Sequence, residues 1–154
     1  MKEEIMNSTK KRVIATIAAA VSIGGFTVAV APGASAAPAG AYGCAGSEID
    51  TYAVKTSGGA TWGTIHLYYD SSTGLNCAVN VKTSAGYAGT PSITWVALAR
   101  SSDGKSDLDS GNFSSYAGPV TISAPGQCIT VSGVVRNPAD TVEASVVAKN
   151  VHCG

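Results

Sequence analysis

The sequence predicts an all-β protein, an antiparallel sandwich or small barrel of about seven strands stapled by two disulfides. Three observations lead there. Runs of β-branched, aromatic and aliphatic residues recur between clusters of Gly, Ser, Asp and Pro, and no helical period survives in any of them. The connections are too short to hold crossover helices, which favours antiparallel pairing. All four cysteines, Cys44, Cys77, Cys128 and Cys153, lie beyond an export-like leader, and an even count in a small exported chain reads as two disulfides.

The leader comprises residues 1–36. Lys10, Lys11 and Arg12 precede an apolar run from Val13 to Val30, and Ala34 and Ala36 supply the small residues of a cleavage site. A Gly24-Gly25 break and the lack of a basic stop-transfer flank argue against an uncleaved anchor. The expected organisation is a cleaved signal peptide at 1–36, a small-residue lead-in at 37–47 and a single disulfide-bonded β domain at 48–154. No other segment is expected to span a membrane. The part after residue 36 carries eight acidic and six basic residues with the signs interspersed, so nucleic acid and anionic lipid are poor partners. An extracellular location follows.

Strands are expected over 49–55, 61–69, 75–83, 92–100, 116–123, 128–136 and 141–151. The turn residues Asp70-Ser71-Ser72-Thr73-Gly74 make a hairpin of the second and third. Alternation puts Ile65, Leu67 and Tyr69 on one face with Leu75, Cys77, Val79 and Val81, and turns Asn76, Asn80 and Lys82 to water. The fourth strand is apolar on both faces, the mark of a central position. Residues 101–112 read as a polar loop. For the disulfides the favoured pairing is Cys77–Cys128 with Cys44–Cys153, the latter tying the domain ends; sequence alone does not fix it. Cys128 is out of phase with Ile129, Val131 and Val135, so either a bulge re-aims it or the pairing differs.

No catalytic residues are assigned, and no enzyme activity or cofactor is expected. A Ser–His–Asp site needs a histidine between nucleophile and carboxylate. The two histidines are His66, in mid-strand, and His152, beside a cysteine; no Gly-x-Ser-x-Gly elbow occurs. A structural zinc site lacks a Cys-x-x-Cys. Asp103, Asp107 and Asp109 form an oxygen-rich stretch that could hold calcium, but the EF-hand ligand pattern is incomplete and Lys105 competes, so a solvated turn is favoured. The candidate binding face is Trp62, His66 and Tyr68, which alternate onto one side of the second strand. If Ile65 and Leu67 face the core, these three make an aromatic stripe fit for a sugar face or a partner surface; if a second layer covers them, they are core.

Several segments carry a family resemblance: Gly43-Cys44-Ala45-Gly46, Leu67-Tyr68-Tyr69 through Gly74 to Asn76-Cys77-Ala78-Val79, Tyr116-Ala117-Gly118-Pro119-Val120 with Gly126-Gln127-Cys128, and His152-Cys153-Gly154. Together they resemble the small exported spore-associated protein A family of filamentous actinobacteria. The pattern departs at Ile129-Thr130-Val131, where Trp-Gly-Gly is expected. The resemblance implies an exported, non-catalytic structural or interaction protein at the spore or cell surface. Its partners would be envelope or spore-surface components, whether polysaccharide or another surface protein. The alternatives from other classes are a secreted inhibitor or antimicrobial protein presenting the 101–112 loop, and a glycan-binding module using the aromatic strand face.

Overall fold

Gly, Pro and Asp clusters punctuate the chain where the sequence places them, and the segments between pair into a single antiparallel sheet. The structure is a computed structural model that describes residues 40–154; the expected signal peptide, its expected cleavage site and residues 37–39 of the lead-in lie outside the described residues. Eight strands follow a short 3-10 turn at Ala41–Gly43: β1 (Ser47–Thr56), β2 (Thr61–Asp70), β3 (Leu75–Lys82), β4 (Ser92–Arg100), β5 (Ser106–Phe113), β6 (Tyr116–Ser123), β7 (Ile129–Arg136) and β8 (Glu143–Val151). Their order is β5-β4-β7-β8-β1-β2-β3-β6, and every pairing is antiparallel. The sheet curls into a nearly closed barrel, bringing its two end strands, β5 and β6, together. No helix among the described residues is long and apolar enough to cross a membrane.

The count is eight because the expected 101–112 loop contains β5. This strand pairs along its whole length with β4, from Ser92↔Phe113 to Ala99↔Ser106. Its pattern is inverted: Leu108 is 59% exposed, whereas Asp107 and Asp109 are half-buried and turn toward β6. Asp109 Oδ2 accepts a hydrogen bond from the Gly118 amide at 2.6 Å, and Asp107 Oδ2 accepts one from the Thr121 amide at 2.7 Å. Carboxylates thus close the seam where no main-chain ladder forms. The spacing that looked like a polar loop is a strand laddered to β4 and joined to β6 by its polar side chains.

Inside the barrel lies one apolar cluster that includes Val54, Ile65, Leu67, Val96, Leu98, Val131 and Val135. The register of β2 on β3 corrects the expected faces of β3. Ile65 lies opposite Asn80 and Leu67 opposite Ala78, and opposed residues of an antiparallel pair share a face. Asn76, Asn80 and Lys82 therefore point inward and are buried, not turned to water. Asn80 Nδ2 donates to the carbonyls of Trp95 (3.0 Å) and Val134 (3.1 Å). Lys82 Nζ donates to Thr90 O (2.7 Å), Ser92 Oγ (2.8 Å) and Phe113 O (3.1 Å). These bonds offset the cost of burying polar groups. Cys77 and Val79 point outward into a second cluster with Cys44 and Tyr68, beneath the lead-in.

The disulfides are Cys44–Cys77 and Cys128–Cys153, which overturns the favoured pairing. The reason is topological. Cys77 faces out of the barrel on β3, and β3 is hydrogen-bonded to β2 and β6, not to β7. The lead-in crosses this outer surface and supplies Cys44. Cys128 precedes β7 and lies next to the end of β8, where Ile129 pairs with Val151 and Cys153 follows. Its phase mismatch is resolved because it stands outside the strand, beside a register shift between Ile129 and Val131.

Candidate functional site

Of the three residues of the expected aromatic stripe, the structure leaves one partly open. Trp62 sits at a register shift opposite Val54 and Lys55 and is 9% exposed within the main apolar cluster. The 83–90 segment lies over it: the Thr83 amide donates to Trp62 O at 2.9 Å, and the Tyr87 ring meets the indole edge-on at 5.3 Å. Tyr68 is 5% exposed in the second cluster. Its hydroxyl is pushed up from the usual phenol range by burial first and then by the Glu48 carboxylate. An exposed stripe of these three is therefore not what the strand presents, because a second layer covers two of them.

His66, half-buried, takes part in a different surface. Its Nδ1 lies 2.6 Å from Glu48 Oε2. The Tyr42 ring lies 6.2 Å from the imidazole and packs edge-on against Tyr116 at 5.2 Å. Tyr42 and Tyr116 are 40% and 38% exposed. Tyr42 comes from the lead-in, where a left-handed turn (φ 59°) ahead of Cys44 sets its direction, and the Cys44–Cys77 bond pins that turn over β3. The sequence offered no alternation through Tyr42. Its nearest signal was the flanking Gly40, Gly43 and Cys44, which mark a tethered turn. The result is a patch of two open aromatic rings beside a carboxylate and an imidazole. Rings of this kind stack on apolar sugar faces, while the carboxylate accepts hydroxyl donors.

A concavity of about 390 Å³ opens near the chain end, walled by Ile49, Tyr69, Asn76, Pro125, His152 and Cys153 among others. His152 Nε2 is 3.2 Å from Asp50 Oδ2, joining the end of β8 to β1. The Tyr52 hydroxyl, buried beside Asp50 and without a hydrogen bond of full geometry, does most to hold the Asp50 carboxyl below the usual carboxylate range. The Thr51 amide, at 2.8 Å, and His152 add to this against a partial loss of solvent. Conversely, burial and then the neighbouring Asp50 push the Tyr52 hydroxyl far above the usual phenol range.

The calcium candidates do not converge. Asp103 is held by Arg100 through both carboxylate oxygens, with Nε–Oδ1 at 3.0 Å, and accepts the Lys105 amide at 3.1 Å. Arg100 is the chief cause that lowers the Asp103 carboxyl from its ordinary value. Asp107 and Asp109 are occupied by the amides of β6. Among the described residues no group of three or more His, Cys, Asp or Glu side chains is placed to hold a metal ion.

No protein-family model matches the sequence, and no solved structure matches the chain. The chain is 39% identical over 127 residues to Spore-associated protein A of Streptomyces coelicolor, an alignment that covers 80% of this chain and 79% of that protein.

Proposed function

The chain belongs to the spore-associated protein A family, and from that premise we propose that it is an exported, non-catalytic protein that associates with the spore or cell surface. Its contact is the Tyr42–Tyr116–His66–Glu48 patch, and its ligand class is envelope polysaccharide. The observation that carries this reading is the patch itself: two open rings 5.2 Å apart, one on β6 and the other set beside the His66–Glu48 pair by a lead-in that a disulfide fixes to the barrel. A preorganised aromatic face loses little entropy on binding, which suits a weak, repeated polymer ligand. Two disulfides suit an oxidising compartment. The inhibitor reading loses its presenting element, since most of 101–112 is β5.

Sedimentation of the isolated protein with spores and with purified cell wall tests the proposal. Retention in the pellet is expected, and the doubly substituted Tyr42→Ala/Tyr116→Ala protein should bind roughly tenfold more weakly, from about 0.5–1.5 kcal/mol for each ring. Wild-type protein left wholly in the supernatant overturns the surface reading. A variant that binds as well as wild type overturns the patch.

A further inference from the structure

The two disulfides sit in opposite environments. Cys44 and Cys77 are 2% and 3% exposed, enclosed with Tyr68 and Val79. Cys153 is exposed, Cys128 is half-buried, and Cys153 forms part of the wall of the 390 Å³ concavity. That concavity has an apolar rim, with Ile49 and Tyr69 40% and 38% exposed and Pro125 alongside. The segment carrying Cys153 is held in place from both sides: His152 is tied to Asp50, and Gly154 packs so closely on Gly126 that an added Cβ would come 2.7 Å from its Cα. A disulfide so exposed is the kind open to exchange, whereas an enclosed one resists it.

We propose that the Cys128–Cys153 disulfide is a covalent attachment site for a cysteine thiol of another polypeptide, whose apolar flanking residue the Ile49–Tyr69–Pro125 rim receives. The step is redox-neutral. The incoming thiolate attacks Cys153 Sγ, the Cys128–Cys153 bond breaks, a new disulfide joins Cys153 to the partner, and the electron pair leaves on Cys128 Sγ, which takes up a proton from water. Attack falls on Cys153 because it is the exposed residue of the pair, and Cys128 is the leaving group. The barrel persists through the step, since the β7–β8 ladder from Ile129↔Val151 to Arg136↔Glu143 lies between the two cysteines. The inference rests on the surface location proposed above and names a second, covalent stage of it.

The test uses the isolated oxidised protein and two short peptides, Leu-Cys-Gly and Asp-Cys-Gly, with glutathione as a small-thiol control. Free thiols are trapped with iodoacetamide and adducts mapped by mass spectrometry. The expected result is one peptide adduct on Cys153, a free alkylated Cys128, an intact Cys44–Cys77 bond, and a rate roughly tenfold higher for the leucine peptide than for the aspartate peptide. No adduct, an adduct on Cys128, or adducts spread over both disulfides overturns the proposal. Reaction with glutathione but with neither peptide overturns the polypeptide partner. On spores, non-reducing electrophoresis should show a high-mass species that dithiothreitol dissolves and that Cys128→Ser/Cys153→Ser protein does not form. If that variant still sediments with spores and wild type forms no such species, the covalent stage falls and the surface reading stands. Peptide adducts without any retention on spores would leave the exchange site standing and sink the surface reading.

Discussion

The Asn80 carboxamide occupies the space that a side chain on Gly63 would need: a Cβ there would lie 2.6 Å from Asn80 Oδ1. Gly133 faces the same group from β7, where an added Cβ would come 3.1 Å from Asn80 Nδ2 and 2.9 Å from Trp95 O. Asn80 is fixed by its two carbonyl acceptors on β4 and β7, so it cannot step aside. One amide thus ties three strands across the barrel, and two glycines leave it room. Gly63→Ala and Gly133→Ala should each destabilise the protein by about 1–3 kcal/mol through overpacking, Gly133→Ala the more, because backbone must move. Asn80→Ala should cost about 1–3 kcal/mol by leaving buried carbonyls without their donor. Urea unfolding midpoints of the three variants check this.

The seam between β5 and β6 should be the barrel's most substitution-sensitive surface. Asp109→Ala removes the acceptor of a part-buried amide and should cost about 1.5–3 kcal/mol, the range for hydrogen bonds to charged groups. Asp107→Ala, whose amide partner is exposed, should cost less. Amide hydrogen exchange at Gly118 and Thr121 should accelerate in the matching variant and not in the other.

The protein should lose stability in alkali from about pH 10 upward. The Tyr52 and Tyr68 hydroxyls are both raised above the ordinary value of 10.0, by burial first and then by Asp50 and Glu48 respectively. A raised folded-state pKa contributes stability that is fully present below the unfolded value and is lost as pH climbs past it, because the unfolded chain ionises first. Lys82 runs the other way. Desolvation lowers it below 10.5, so its cost to the fold is relieved as pH rises toward that value. Tyr52→Phe should therefore flatten the fall in stability above about pH 10, while Lys82→Met should steepen it. Denaturant titrations at stepped pH measure both slopes.

Opening the inner disulfide should damage the proposed binding patch, whereas opening the outer one should not. Each closes a loop worth about 3.5 kcal/mol by chain entropy, with separations of 33 and 25 residues. Cys44→Ala/Cys77→Ala also frees the turn that presents Tyr42, so retention on cell wall should fall together with stability. Cys128→Ser/Cys153→Ser should lose stability yet keep its retention. Parallel sedimentation and thermal unfolding separate the two.

The strand positions were legible because Gly, Pro and Asp clusters interrupt apolar runs, and seven of the eight strands lie close to where those signals put them. The faces were not legible where a strand is covered on both sides. In β3 the apolar Cys77 and Val79 are outside and Asn80 and Lys82 inside, the reverse of what solvent contact on one face would give. β5 was hidden for the opposite reason: its inward residues are aspartates and its outward one is Leu108. For Trp62 the sequence left surface and core both open, because the loop that lies over it, around Gly86 and Tyr87, carries no pattern of its own. His66 was named from the sequence, but the rings beside it, Tyr42 and Tyr116, come from distant segments that only the folded chain brings together.

An open strand edge is a template on which a neighbouring chain can grow, and proteins packed densely on a surface meet such neighbours constantly. Along β6 two of the amides that would recruit an intruding strand are already spoken for by the Asp107 and Asp109 carboxylates, which also set negative charge there. Side chains in place of a ladder thus leave this edge with fewer free amides for a neighbouring strand to pair with.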